Sequence, residues 1–221
     1  MVEIVIGAVI AVLVAVGVEY LRRPNLKLTI EVPPVNAEYP TSAPAKHARF
    51  LRLKLLNKPL PTWARWMIRA PALQCRGSIT FHHLDGQNVF GRVMTARWAG
   101  SPEPVPIHAV TQTGAAIQIF DPLRITLESR IDVYPGEGES ELLDVAGRFD
   151  DDPECYGWNS ETYFCSTPWR NPDWKLPPGR YLVKVVIRSS GQRCTGLFRL
   201  VNDVSRKDCR LEDAQSHDNV V

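Results

Sequence analysis

The chain has 221 residues, a net charge of +2, 23% charged residues and 44% hydrophobic ones. That balance excludes a polyelectrolyte, so no nucleic-acid partner is expected, and the length allows one domain with an ample core or two small ones. Its 18 prolines and 14 glycines suit many short strands joined by turns.

The first element is the uncharged run Ile4 to Val18, IVIGAVIAVLVAVGV. Fifteen residues of helix cover roughly 22 Å, whereas a bilayer core of about 30 Å usually needs about 20 apolar residues. Counting Val2, Tyr20 and Leu21 makes the run adequate. Glu3 and Glu19 then lie near the two interfaces, Tyr20 at headgroup depth, and Arg22 and Arg23 can snorkel before Pro24 stops the helix. Residues 1–23 therefore read as a single-pass membrane anchor, meeting the lipid bilayer through residues 4–21. Two other readings compete. Ala15-Val16-Gly17 is a passable cleavage site for a signal peptide, but no Lys or Arg precedes the apolar run. A buried core helix would be striped, and this run is apolar on all sides. Arg22, Arg23 and Lys27 follow the run and no Lys or Arg precedes it, so the positive-inside rule places the N-terminus outside and the rest in the cytoplasm.

Residues 24–212 alternate like strands. Asn25 to Val32 (NLKLTIEV) and Arg49 to Asn57 (RFLRLKLLN) have period two, separated by a polar loop over residues 35–48. Residues 58–72, with Pro59, Trp63, Trp66 and Pro71, read as a connection with one helical turn. Ala72 to His82 is predicted as a strand with Leu73, Cys75, Ile79 and Phe81 on one face. The Asp85-Gly86 turn then leads to a hairpin partner over Val89 to Trp98. A loop over residues 99–114 precedes strands at Ala116 to Phe120 and Arg124 to Tyr134. Pro135 to Glu139 is a turn, and Leu142 to Phe149 a further strand. The clearest pair is Tyr181 to Arg188 and Cys194 to Val201 around a Ser-Ser-Gly-Gln turn. Residues 213–221 lack periodicity and read as a flexible tail.

Many short strands without βαβ alternation predict an all-β fold, an antiparallel β-sandwich behind one transmembrane helix. Leu51-Arg52-Leu53-Lys54-Leu55-Leu56-Asn57, Ala72-Leu73-Gln74-Cys75 and Gly179-Arg180-Tyr181-Leu182-Val183-Lys184-Val185 resemble the strand grammar of bacterial and archaeal immunoglobulin-like domains. The resemblance implies an Ig-like sandwich that works as a binding or spacing module. It carries no site signature.

The most unusual stretch is residues 150–178, which hold three of the six tryptophans. It is too aromatic to be disordered and too long for a plain connection. Tyr156, Trp158, Trp169, Arg170 and Trp174 are the candidate binding residues, because large rigid rings with one polar atom anchor interfaces well. Alternatively the loop folds back and its rings cover one open end of the sandwich. Asp150, Asp151, Asp152 and Glu154 offer hard oxygens for Ca²⁺, but without EF-hand spacing, so a solvated acidic turn is the plainer reading.

Catalytic motifs are absent from the sequence: no G-x-S-x-G, P-loop or G-x-G-x-x-G occurs. Adjacent His82 and His83 would point to opposite faces of a strand. The five cysteines cannot all pair, and buried free thiols in a reducing compartment fit a cytoplasmic domain. Outside the cell, Cys155–Cys165 and Cys194–Cys209 would be the local bridges. The sequence thus leads to a membrane-anchored, non-catalytic domain without cofactor, recognising a protein partner through sandwich loops. The alternatives are an extracytoplasmic carbohydrate-binding module using the loop tryptophans, and a hydrolase or metal-dependent enzyme.

Overall fold

A computed structural model describes residues 2–39, 46–102, 107–110, 116–119, 129–136, 140–165, 167 and 169–218. The chain is mostly β, with two antiparallel sheets and one N-terminal apolar helix. Helix α1 spans Val2–Arg22, 21 residues with an Arg in the last turn. At about 1.5 Å per residue it is long enough for a bilayer core of about 30 Å. The stretch Ile4–Arg22 lies wholly outside the core of the β domain. Pro24 ends it, and only Arg23, Pro24 and Asn25 separate it from the first strand.

The strands, in chain order, are β1 Leu26–Ile30, β2 Val35–Tyr39, β3 Lys46–Asn57, β4 Ala72–His82, β5 Met94–Thr95, β6 Arg97–Trp98, β7 Ile107–Val110, β8 Ala116–Ile119, β9 Ile131–Val133, β10 Ser140–Phe149, β11 Cys155–Gly157, β12 Lys175–Leu176, β13 Arg180–Ser189, β14 Gln192–Val201 and β15 Arg210–Asp213. The first sheet runs β1-β3-β10-β11-β12, with β2 also on β3 and β6 also on β10. The second runs β15-β14-β13-β4-β5, with β9 on β4. Strands β7 and β8 pair with each other.

The two sheets share one core. Leu51, Leu53 and Leu55 of β3 meet Ile79 and Phe81 of β4 and Val183, Val185 and Ile187 of β13 within it. Period two makes this possible: alternate side chains of each strand turn to the same side, and burying each aliphatic chain contributes about 1.5–3 kcal/mol.

Several local departures have identifiable causes. Leu73 is not on the inner face of β4 but exposed. Gln74 adopts a positive φ of 51°, and the pairing with β9 shifts register between Ala72 and Cys75. The partner of β4 is also not one continuous strand. Asn88 Oδ1 accepts from the amides of Phe90 and Gly91 at 3.0 and 3.1 Å, which bends the chain out of line. The chain pairs with β4 at the His82–Asn88 bridge, leaves it, returns at β5 and then crosses to the first sheet as β6. Strand β7 occupies part of the expected 99–114 loop, and β2 part of the 35–48 loop. The strand expected over 124–134 is seen at Ile131–Val133; residues 124–128, Phe120 and residues 137–139 of the turn lie outside the described residues.

The tail is shorter and better held than its composition suggests. Strand β15 pairs with β14, and the buried Asp218 carboxylate accepts from Arg199 Nη2 at 2.6 Å and from the Gln215 amide at 2.8 Å. Residues 219–221 lie outside the described residues.

One buried amide ties three segments together. Asn57, at the end of β3, is wholly buried. Its Oδ1 accepts from the Asn25 amide at 3.0 Å, and its Nδ2 donates to the carbonyls of Ala70 at 3.0 Å and Val133 at 3.3 Å.

Candidate functional site

Within residues 150–178, β11 and β12 extend the first sheet, and Tyr156, Trp158, Tyr163 and Trp169 pack on its outer face. On β3 the odd-numbered positions Leu51, Leu53 and Leu55 face the shared core, while Ala48 and Phe50 belong to a second cluster with Phe149, Tyr156 and Trp158. Both faces of this part of the sheet are therefore covered. A bulge in β10 prepares the ground: Arg52 pairs with Asp144 and Leu51 with Ala146, so Val145 is an extra residue. The Trp158 amide donates to that Val145 carbonyl at 3.0 Å.

The ring of Trp158 lies edge-on to Phe50, with centroids 4.7 Å apart, and edge-on to Tyr163 at 5.8 Å. Gly147 makes the approach possible, since a Cβ there would stand 3.2 Å from the Trp158 ring. Trp158 is 4% exposed and Trp174 3%, and Tyr156 is also buried. Trp174 enters the main core, donates from Nε1 to Glu161 Oε2 at 3.0 Å, and carries the Arg92 guanidinium 4.3 Å above its ring. Gly157 leaves it room; a Cβ there would meet Met94 Sδ at 2.9 Å and Trp174 Cβ at 3.2 Å. Trp169 is half-buried at the rim, 6.0 Å from the Trp158 ring. Arg170 stacks on Phe149 at 4.6 Å and pairs with Asp151 and Asp152.

The five candidate binding residues are thus brought into one region, but they present no exposed aromatic platform. Their rings serve packing. The segment folds back as its composition allows: Tyr156, Trp158 and Trp169 cover a face of the first sheet, while Cys155, Trp174 and Leu176 enter the shared core. Its outward side is polar: Arg92 and Asp173 pair at 3.3 Å, and Lys175 and Glu154 at 2.6 Å.

The four carboxylates considered for Ca²⁺ do not converge. Asp150 pairs with Arg206, Asp151 with Arg170, and Glu154 with Lys175. Asp152 accepts from Tyr156 Oη at 2.7 Å and from the Glu154 amide at 2.9 Å. Burial alone would raise the Asp152 carboxyl. These hydrogen bonds and the Arg170 charge outweigh it and hold the group below the usual carboxylate range. Burial, and then the same carboxylate, push the Tyr156 phenol up. Among the described residues no group of three or more His, Cys, Asp or Glu side chains is placed to hold a metal.

Beneath this roof lies a buried ionic cluster. Asp144 accepts from Arg52 Nε at 2.7 Å and from Arg97 Nη1 at 3.3 Å. Burial raises its carboxyl in spite of both guanidiniums. Arg97 also reaches the Trp98 carbonyl at 3.0 Å and sits 5.1 Å from the Tyr163 ring centroid. The cluster links β6, β10 and the aromatic segment, a role in positioning rather than in proton transfer.

All five cysteines are free thiols, and the structure joins neither Cys155 to Cys165 nor Cys194 to Cys209. Cys155 instead donates to Cys209. That contact, and then burial, raise Cys155; the same contact lowers Cys209 against its own burial, with the charges of Arg148, Arg49 and Arg210 favouring its thiolate further. His82 is committed to Gly86 O and Thr80 Oγ1, both at 2.9 Å.

A second aromatic region, read from sequence only as a connection, has the opposite character. In the loop between β3 and β4, Trp63 is 66% exposed, Trp66 76% and Ile68 77%. The loop is nevertheless fixed. Leu60 and Ala64 are buried, and a 3-10 turn spans Thr62–Ala64. The Ala70 amide donates to Arg22 O at 2.7 Å, Arg22 Nε donates to Ile68 O at 3.3 Å, and Arg69 Nη1 donates to Arg23 O. It therefore sits against the C-terminal end of α1. The sequence signal was available in the alternation of aromatic and basic residues in Trp63-Ala64-Arg65-Trp66-Met67-Ile68-Arg69.

No known protein family, curated protein or solved structure matches the chain.

Proposed function

We propose that this chain is a single-pass membrane protein whose Ig-like β-sandwich serves as a non-catalytic binding or scaffolding domain for a protein partner. The observation that carries the reading is α1: an apolar helix of bilayer length, outside the domain's core, ending in Arg22 and leading into the domain within three residues. A helix whose apolar side chains are left unburied by the described residues needs an apolar surrounding, and lipid supplies it. The Arg22-Arg23 exit favours the N-terminus outside and the domain in the cytoplasm, and the free thiols agree with that compartment. The partner surface is the polar outer side of residues 150–178, where Arg92, Asp173, Lys175 and Glu154 form a charged patch held rigid by the rings beneath. A preorganised surface loses little side-chain freedom on binding.

The test has two parts. Carbonate washing of native membranes should leave the full chain in the pellet with its apolar segment intact by mass; release, or a mature form beginning after Gly17, would refute the anchor. A photo-crosslinker placed at Asp173 or Lys175 should give one discrete adduct in intact membranes, and one placed at Lys184 on the second sheet should give none. Adducts equal at all three positions, or absent from all, would refute the partner surface.

A further inference from the structure

We infer that the loop between β3 and β4 is a second membrane contact: Trp63, Trp66 and Ile68 enter the headgroup region of the leaflet from which α1 emerges, while Lys58, Arg65 and Arg69 pair with anionic lipid phosphates. The inference rests on the reading that α1 spans a bilayer.

Three observations converge on it. The first is exposure without disorder. Two tryptophans and an isoleucine stand out from a loop whose backbone is pinned by the Ala64 amide to Pro61 O at 2.9 Å and the Met67 amide to Ala64 O at 3.0 Å. Large rings held outward by a fixed backbone are poorly placed in water and well placed at a membrane interface, where one edge is apolar and the other wet. The second is position. The loop bonds to Arg22 and Arg23, the residues that mark the interface end of α1, and Tyr20 on that helix is 68% exposed. A helix of bilayer length brings this end, and whatever is bonded to it, to headgroup depth. The third is charge. A hollow of about 600 Å³ opens beside the loop, and Lys58, Arg65 and Arg69 line it together with Leu60, Met67 and Ile68. Cations over aliphatic walls match a lipid phosphate above its glycerol and first methylenes. An acidic protein surface would satisfy the cations but leave Trp63 and Trp66 in water.

The experiment uses the full chain reconstituted in phosphatidylcholine vesicles, with and without phosphatidylserine, containing lipids brominated high on the acyl chain. The wild type should show strong bromolipid quenching of tryptophan emission. A Trp63→Phe, Trp66→Phe double variant should lose most of that quenching, because its remaining tryptophans are Trp98, Trp158, Trp169 and Trp174. The Lys58→Glu, Arg65→Glu variant should abolish the increase in quenching that phosphatidylserine produces. Carbonate washing separates the two readings. A chain stripped from the vesicles refutes the anchor and the loop contact with it. A chain that is retained, but whose Trp63 and Trp66 emission is quenched by aqueous iodide and not by bromolipid, refutes the loop contact alone and turns the loop toward water or a protein.

Discussion

Residues 150–178 and the loop of residues 58–71 are both rich in tryptophan, and they have opposite fates. In the first, Trp158 and Trp174 turn inward, Arg92 lies over the Trp174 ring and Arg170 over Phe149. In the second, Trp63 and Trp66 turn outward beside the end of a helix. The difference lies in what faces them. Phe50 and Gly147 offer Trp158 a flat apolar bed, and Gly157 leaves a slot for Trp174. The shorter loop has used its inward residues, Leu60 and Ala64, to fix its backbone. Aromatic content alone says nothing about facing; the available wall decides.

The contrast predicts a graded set of outcomes, measured by denaturant unfolding of the full chain in detergent micelles. Trp158→Ala empties the roof over β3 and β10 and should cost about 3–5 kcal/mol. Asp144→Ala leaves the buried Arg97 guanidinium under Tyr163 uncompensated and should cost a similar amount, about 3–5 kcal/mol. Gly157→Ala drives a methyl into Met94 and Trp174, an overpacking cost of about 1–3 kcal/mol. Losses below about 1 kcal/mol for all three would mean that the inward region is as loosely built as the outward one.

Acid should separate the regions more gently. The Asp152 carboxyl is held below its ordinary value, so it contributes stability that is fully present above the unfolded pKa of about 3.9 and is lost as pH falls through the lower folded value. A red shift of the inner tryptophan emission is expected below about pH 4, while iodide access to Trp63 and Trp66 stays constant. The smallest effect belongs to Trp66→Ala, which should stay within about 0.5 kcal/mol in micelles. A larger loss would show that this ring packs on the domain.

Alternation made the central strands legible. Ala72–His82 and the pair β13 and β14 follow from period two, because each strand has one face on the core. Strands β2 (Val-Asn-Ala-Glu-Tyr) and β15 (Arg-Leu-Glu-Asp) were not, since each is short and carries few apolar residues. They are strands because β3 and β14 present free edges to them. Period two puts Leu73 on the inner face, and no residue type announces the positive φ at Gln74 that accompanies its exposure. Position, not chemistry, was missing at the candidate site. The rings and acids of residues 150–178 were visible, but the arginines that engage those acids come from places as distant as Arg206. The loop of residues 58–71 reads only as a connection because nothing in one dimension places Ile68 beside Arg22.

Asn57 gives the assembly a mechanical character. Its side chain grips the exit from α1, the loop bearing Trp63 and Trp66, and β9 at once. The free tether beyond α1 is three residues, a reach of roughly 10 Å even when taut. Such a joint has no slack. A change of tilt in the helix becomes a swing of the whole domain, as in an angle bracket bolted to a wall. The surface far from the bolt sweeps the widest arc, so a partner holding that surface would feel, at a distance, how the helix leans.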